Sequence, residues 1–501
     1  MLQKTIFIKK VLLPKKSLFQ HLINELLDQI NSLTGRKNTP SISTQRKRLL
    51  AAKLVIEGLY RCHCSQSRDI ALAVPHHPNA YKSGDENKID QIGYKILISV
   101  IDAMVALGWV KRKMGFRTSE DAGETTELRS SGALLEAFQK VGLVWQEMEP
   151  ISDVIVLRNY DENTKKKYKQ AVPKSGTARK MATNLKRINK FLSRQAICLL
   201  LSNESFERLG GQMTFGQRKT LYDFNYQGKH PRYLDFTMTQ LRRIFSRASM
   251  KLGGRFYGGW WQFIPKNYRV HITINYLPTI EVDYAGLHPY MIYHLDGLTA
   301  PKGDMYDLGI WKTEAERQQK RPIVKEFFNA IVNDEFGDYK MPKESRAILG
   351  MSNSQLRGLI TQKHSGIAHR FNSGYGLTLQ YEDSKIAESV MLGLLEQGIT
   401  CLPMHDSFIV QATERSKVVA AMNQAYKDRF GVEIDLKSTF LFDSDETGNR
   451  KYSVEFPLPF DEGGSVDHET LFKKGRESIH NQYCYSWLVS DSRSRSVPSK
   501  K

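Results

Sequence analysis

The period of the apolar positions changes several times along the chain, and the changes divide it. In the first 80 residues "LFQHLINELLDQI" and "RLLAAKLVIEGLY" carry apolar residues three and four apart, the spacing of amphipathic helices. "YKILISVIDAMVALG" repeats that period and is closed by Gly108. "WVKRKMGFR" and "TTELRSS" then read as two strands about the polar turn "TSEDAGE", and "GALLEAF" returns to a helix. Helix, hairpin and helix with a basic first strand make a candidate winged helix, with a small α/β packing unit as the alternative. From 161 to 250, "KKKYK", "PKSGTARKMATNLKRINKFLSR" and "RRIFSRASMK" space Lys and Arg as basic helices would. Further on, "TIEVDY" alternates as a strand ending at Asp283, and an apolar helix starts at Leu287. "CLPMHDSFIV" sets His405 and Asp406 between two apolar runs, the pattern of a hairpin. The C-terminal stretch turns polar and ends "SDSRSRSVPSKK", which reads as a disordered tail.

Composition adds a partner to this picture. The 501 residues are 41% hydrophobic and 25% charged, a globular balance. That length holds about three domains. The 73 Lys and Arg against 53 Asp and Glu leave a net charge of +20, which points to a polyanion, most simply nucleic acid. The basic runs of 161–250 are where its backbone would be met, unless they only solvate an outer face. Five scattered cysteines give no disulfide framework and suggest a reducing compartment. The N-terminal "MLQKTIFIKKVLLPKK" is broken by lysines, unlike a signal peptide, and no run approaches a membrane span. A soluble, cytoplasmic chain with no membrane partner is expected. Cys62, His63 and Cys64, followed by His76 and His77, offer metal-ligand types at a spacing that fits no standard zinc pattern.

The candidate chemistry starts from Asp406. A carboxylate between apolar strands is costly unless something pairs with it. Asp-Ser is also ordinary turn chemistry, which is the plain alternative. Asp283, at the end of another apolar strand, is the partner the first reading needs. In two-metal phosphoryl transfer such a pair holds two magnesium ions about 4 Å apart. One lowers the pKa of the attacking hydroxyl and the other neutralises the leaving phosphate, and carboxylates on adjacent strands suit that geometry.

The stretch "GGRFYGGWWQFIPKNYRVHITINYLPTIEVDYAGLHPYMIYHL" (253–295) resembles family A DNA polymerases, the bacterial DNA polymerase I type. Gly254-Arg255, Gln262 to Pro265, Arg269 and Asp283-Tyr284 stand in that family's order, and His405-Asp406 matches its second carboxylate turn. "HDSF" is closer still to the single-subunit phage and mitochondrial RNA polymerases, which share the palm. Between the carboxylates, "RPIVKEFFNAIVND" places Arg321 and Lys325 on one helix face, as in the family's fingers signature, with Pro322 in its first turn. "GDMYD" sits where the family has a phosphate contact, with Tyr306 as aromatic donor. "GLTLQYEDSKIAESVMLGLLEQG" resembles the palm helix before the His-Asp turn, and Gln380 matches its glutamine.

The resemblance implies an α+β right-hand palm with short helical fingers and a basic helical thumb, after a mainly helical N-terminal region. The expected layout is a helical basic region (1–90), a candidate winged helix (91–160), a thumb-like region (161–250), palm and fingers (251–455) and a C-terminal extension (456–501). Asp283 and Asp406 would hold two Mg2+ with the carbonyl of Tyr284. Arg321, Lys325 and Tyr306 would bind the triphosphate, and His288, five positions after Asp283, would exclude a 2′-hydroxyl unless Gly286 takes that place. Arg255, Gln262, Gln380 and His405 would touch the primer–template. The expected partners are a DNA primer–template, deoxynucleoside triphosphates and partner proteins of replication or of a mobile element. Three departures stand out: a short interval between the carboxylates, Asn329 and Asn333 where the fingers helix usually has aromatics, and no Tyr-Gly pair closing it. A primase or RNA polymerase on the same palm, a non-catalytic replication initiator and a magnesium nuclease are the rival readings.

Overall fold

Strands that alternate inward and outward side chains, backed by helices with one apolar face, give this chain a mixed α+β fold. The computed structural model describes residues 5–7, 20–33, 40–63, 71–74, 92–115, 126–141, 153–161, 166–199, 209, 236, 238–275 and 277–440. Cys64, His76, His77, the "TSEDAGE" turn and everything after residue 440 lie outside the described residues.

The N-terminal part runs β1 (Thr5–Phe7), α1 (Gln20–Leu33), α2 (Ile42–His63), β2 (Ala71–Val74), α3 (Tyr94–Ala106), β3 (Val110–Lys113), β4 (Thr126–Ser130) and α4 (Gly132–Val141). Its sheet has the order β1-β2-β4-β3, parallel between β1 and β2 and antiparallel elsewhere. The sheet therefore takes strands from both sides of residue 90. Cys62 is buried in α2.

The middle part runs β5 (Ile155–Asp161), β6 (Lys166–Gln170), α5 (Gly176–Leu192), β7 (Ile197–Leu199), β8 (Arg242–Ser246) and β9 (Ser249–Tyr257). Two of its three basic runs are strands where helices were expected. "KKKYK" falls largely on β6, and "RRIFSRASMK" spans β8, its turn and the start of β9. In β8 the period is two, because Arg243 and Phe245 are buried between half-buried neighbours. Arg247 and Ala248, both at φ 53°, make the two-residue turn. Only α5 is the expected basic helix. Ser175 caps it by accepting from Ala178 N at 3.1 Å, and Met181, Leu185, Ile188 and Leu192 bury one face. Lys186, Arg187 and Lys190 stay exposed on the other.

The last part holds α6 (Lys266–Arg269), β10 (Ile272–Ile274), β11 (Leu277–Tyr284), α7 (Leu287–Leu295), α8 (Glu314–Asn333), α9 (Lys343–Leu349), α10 (Asn353–Lys363), α11 (Gly376–Glu396), β12 (Leu402–Met404), β13 (Ser407–Gln411), α12 (Arg415–Phe430) and β14 (Leu436–Phe440). Strands β12-β13-β11-β10-β7 form a sheet in that order, with β14 added beside β11. A second sheet runs β6-β5-β8-β9, and α11 packs on β9 and α12. Helix α8 starts well before Arg321. Thr313 caps it, Glu314 and Glu316 suit its N-terminal dipole, and Arg317 and Lys320 pair with them. Pro322 thus sits in the helix interior rather than its first turn, at a cost of roughly 3 kcal/mol. Val324, Phe327, Phe328, Ile331 and Val332, all buried, offset it. Among the described residues no helix is long and apolar enough to cross a membrane.

Candidate active site

Alternation along β11 sends Ile280, Val282 and Tyr284 into the core and leaves Glu281 and Asp283 half-buried on the opposite face. Asp283 lies across from Ser407 of β13, so the adjoining turn brings Asp406 alongside. His405 shapes that turn at φ 69°, a left-handed conformation that histidine adopts more readily than most residues.

The two acids on this face of β11 are treated differently. Glu281 is satisfied: its Oε1 accepts from Arg269 Nη1 at 2.9 Å and from Ser407 Oγ at 2.6 Å. Asp283 Oδ1 is buried with no hydrogen-bond partner. Burial first, and then the charge of Asp406, push the Asp283 carboxyl up to about 7 against the opposing pull of Lys325. An orphaned oxygen beside a like charge fits a divalent cation, which would satisfy the first and neutralise the second. Among the described residues no group of three or more His, Cys, Asp and Glu side chains could hold a metal. An ion here would rest on the two carboxylates, with backbone, water or substrate oxygens completing its shell, as magnesium tolerates. The Tyr284 hydroxyl donates to the Met422 carbonyl at 2.7 Å in the core, so only its backbone is left for a metal.

His405 packs edge-on against Tyr257 with ring centroids 5.3 Å apart. Burial lowers its pKa to about 4, which leaves the ring neutral at pH 7. Its Nδ1 is buried without a partner.

Beside α8, Tyr306 is buried with Arg321 5.3 Å and Lys325 5.8 Å from its ring centroid. The sequence reading missed the residue that organises this corner. Asp304 accepts from Arg321 through both oxygens, with Nη2 at 2.9 Å and Nε closer, and from Arg317 at 3.3 Å. Burial works against its ionisation, but the bonds from Arg321 and from Tyr306 N outweigh this and hold the carboxyl below its ordinary range. Lys363 secures the loop by donating to the Asp304 carbonyl at 3.0 Å. Asp304 therefore fills the Arg321 guanidinium fork. The "GDMYD" pattern contained the signal, an acid two residues before Tyr306. Asn333 of α8 spends its amide on the Asn329 carbonyl at 2.7 Å.

The residues assigned to the primer–template divide. Gln262 Nε2 lies 3.0 Å from both the Phe256 and Pro403 carbonyls, and its Oε1 accepts from Gly258 N at 2.9 Å. Its amide binds β9 to β12. Gln380 is half-buried on α11, about one turn before Asp383. Arg255 Nε donates to Asp383 Oδ2 at 2.6 Å, and its Nη2 lies 2.9 Å from His288 Nε2. Nothing in "YEDSK" marks Asp383, whose partner is 128 residues away in the chain. Gly286 stands at φ 78° between β11 and α7, a left-handed position that accounts for glycine there.

No family model and no curated protein matches this chain. Among solved structures it is similar to the polymerase domain of Pol1 from M. smegmatis, described in complex with DNA primer–template and dNTP. The likeness has 9% identity and a TM-score of 0.28, and it covers 85% of this chain and 66% of that one.

Proposed function

We propose that the chain is a template-dependent DNA polymerase that adds deoxynucleotides to a primer 3′ end, by two-metal phosphoryl transfer and without proofreading. The observation that carries this reading is the contrast on β11. Glu281 is neutralised by Arg269 and Ser407, while Asp283, beside Asp406, keeps a buried oxygen without a partner. Asp283, Asp406 and the Tyr284 carbonyl would hold two Mg2+ ions, which when bound lower the pKa of the primer hydroxyl and neutralise phosphate charge.

The remaining tasks fall to the chain itself. Arg321 exchanges the Asp304 carboxylate for a phosphate, one bidentate anion for another. Lys325 adds a second cation, and Tyr306 lies against both. His405 is neutral, and its buried, unpartnered Nδ1 would offer a hydrogen bond to the primer end. Arg255 and Gln380 face the primer–template, and His288 crowds the 2′ position of the incoming sugar. The exposed face of α5 meets phosphates without reading bases. In the N-terminal unit, the order β2-β4-β3 with an antiparallel hairpin after α3 supports a winged helix. Lys111, Lys113 and Arg129 on its exposed hairpin face suit a duplex backbone.

Primer extension by the full chain with Mg2+ and each nucleotide type tests the reading. Templated growth with deoxynucleotides supports it. Growth only with ribonucleotides would make the chain a primase or RNA polymerase, and DNA binding without extension would make it an initiator.

A further inference from the structure

Asp383 is 1% exposed, on the first half of α11, yet its partners come from two other elements. The Arg255 guanidinium of β9 reaches it through Nε at 2.6 Å. Burial opposes ionisation of Asp383, but the charge of Arg255 prevails and holds its carboxyl below the usual range. The same guanidinium extends Nη2 to within 2.9 Å of His288 Nε2 on α7, while that nitrogen is 3.9 Å from Asp383 itself. A guanidinium can only donate, so Nε2 accepts and the imidazole proton resides on Nδ1. The order of contacts is therefore carboxylate, guanidinium, imidazole, and it joins β9, α7 and α11 at one point. His288 is five residues beyond Asp283, and Arg255 also lies in the field of Asp406.

We propose that Asp383 is a positioning residue for sugar discrimination, resting on the polymerase reading above. Its buried charge fixes the Arg255 fork, and Arg255 in turn fixes both the plane and the tautomer of His288. An unclamped imidazole could rotate away from the 2′ position or turn a donor toward it. Either change admits a ribonucleotide. Loss of the Asp383 charge therefore alters which sugar is accepted, by the same route as loss of the His288 ring.

The test uses full-length Asp383→Asn, which keeps the shape and one acceptor oxygen, together with His288→Ala and the double variant. The ratio of ribonucleotide to deoxynucleotide kcat/KM should rise at least tenfold in Asp383→Asn, and the double variant should show no further rise beyond His288→Ala. Histidine nitrogen NMR of the metal-free protein should show the Nδ1-protonated form for His288 in the wild type and a mixed or shifted signal in Asp383→Asn. A discrimination ratio unchanged from wild type, or effects that multiply in the double variant, would overturn the inference while leaving the polymerase reading intact. An unchanged His288 signal would overturn it independently of activity. Wild-type protein that extends no primer would instead remove the polymerase reading, and this inference with it.

Discussion

Asp283→Asn should stabilise the metal-free protein at neutral and alkaline pH. Its carboxyl stands at about 7 in the folded chain against an ordinary 3.8. A group with a raised folded pKa contributes its full stability below the unfolded value and loses it as pH rises through the folded one. The window here runs from about pH 4 to about pH 7. Each pH unit across that gap is about 1.4 kcal/mol, so the ionised site costs the fold at most about 4 kcal/mol, and relaxation around it lowers the figure to about half. Urea unfolding in EDTA, at pH 5 and pH 8, for wild type and Asp283→Asn reads the difference. The neutral buried rings of His364 and His405 shift both proteins alike, so the comparison isolates Asp283: between the two pH values the variant's stability should change by about 1–3 kcal/mol more favourably than that of wild type. Mg2+ at pH 8 should restore much of the loss in wild type and little in the variant. Equal pH slopes, or a variant less stable than wild type at pH 8, would refute the account of Asp283 as an unpaired carboxylate awaiting a cation.

Three further outcomes follow from the same site and its surroundings. His288→Ala should raise ribonucleotide incorporation substantially while deoxynucleotide addition stays within roughly tenfold, about 1.4 kcal/mol in the barrier, as read by competing single-nucleotide additions; wild-type preference for ribonucleotides would contradict it. Neutralising Lys186, Arg187 and Lys190 of α5 together should weaken DNA binding alike for unrelated sequences and reduce the log–log salt slope by about 0.9 per lost duplex contact; an unchanged slope would return them to a solvated face. A mispaired primer incubated with protein and Mg2+ but no nucleotides should stay intact, and 3′ trimming that survives Asp283→Asn would reveal a separate nuclease.

What could be read from the sequence was local. The alternation in "TIEVDY" and the apolar runs flanking His405-Asp406 specify β11, β12, β13 and their turn, because side-chain direction in a strand depends only on parity. Arg321 and Lys325 share one face of α8 for the equivalent reason in a helix. The errors arose where a pattern was ambiguous. Lysines in "KKKYK" satisfy a period of two as well as one near four, and pairing with β5 decides for the strand. Pro322 suggested a helix start, whereas Thr313 and the ion pairs after it place the start about two turns earlier. Asp383 was not legible as a site residue, since it acquires meaning only through an arginine brought to it by the fold, whereas Asp304 stood in "GDMYD" two residues before Tyr306. Gln262 shows the converse, a motif residue whose amide the fold spends on its own backbone.

Metal-dependent nucleotide addition by Asp283 and Asp406 is tested by single-turnover incorporation of one templated deoxynucleotide, with DNA affinity measured in parallel, for wild type, Asp283→Asn and Asp406→Asn. Wild type should extend the primer, and each variant should do so at least ~10³-fold more slowly while binding DNA with nearly unchanged affinity. Extension by either variant at a near wild-type rate, or none by wild type, would contradict the claim.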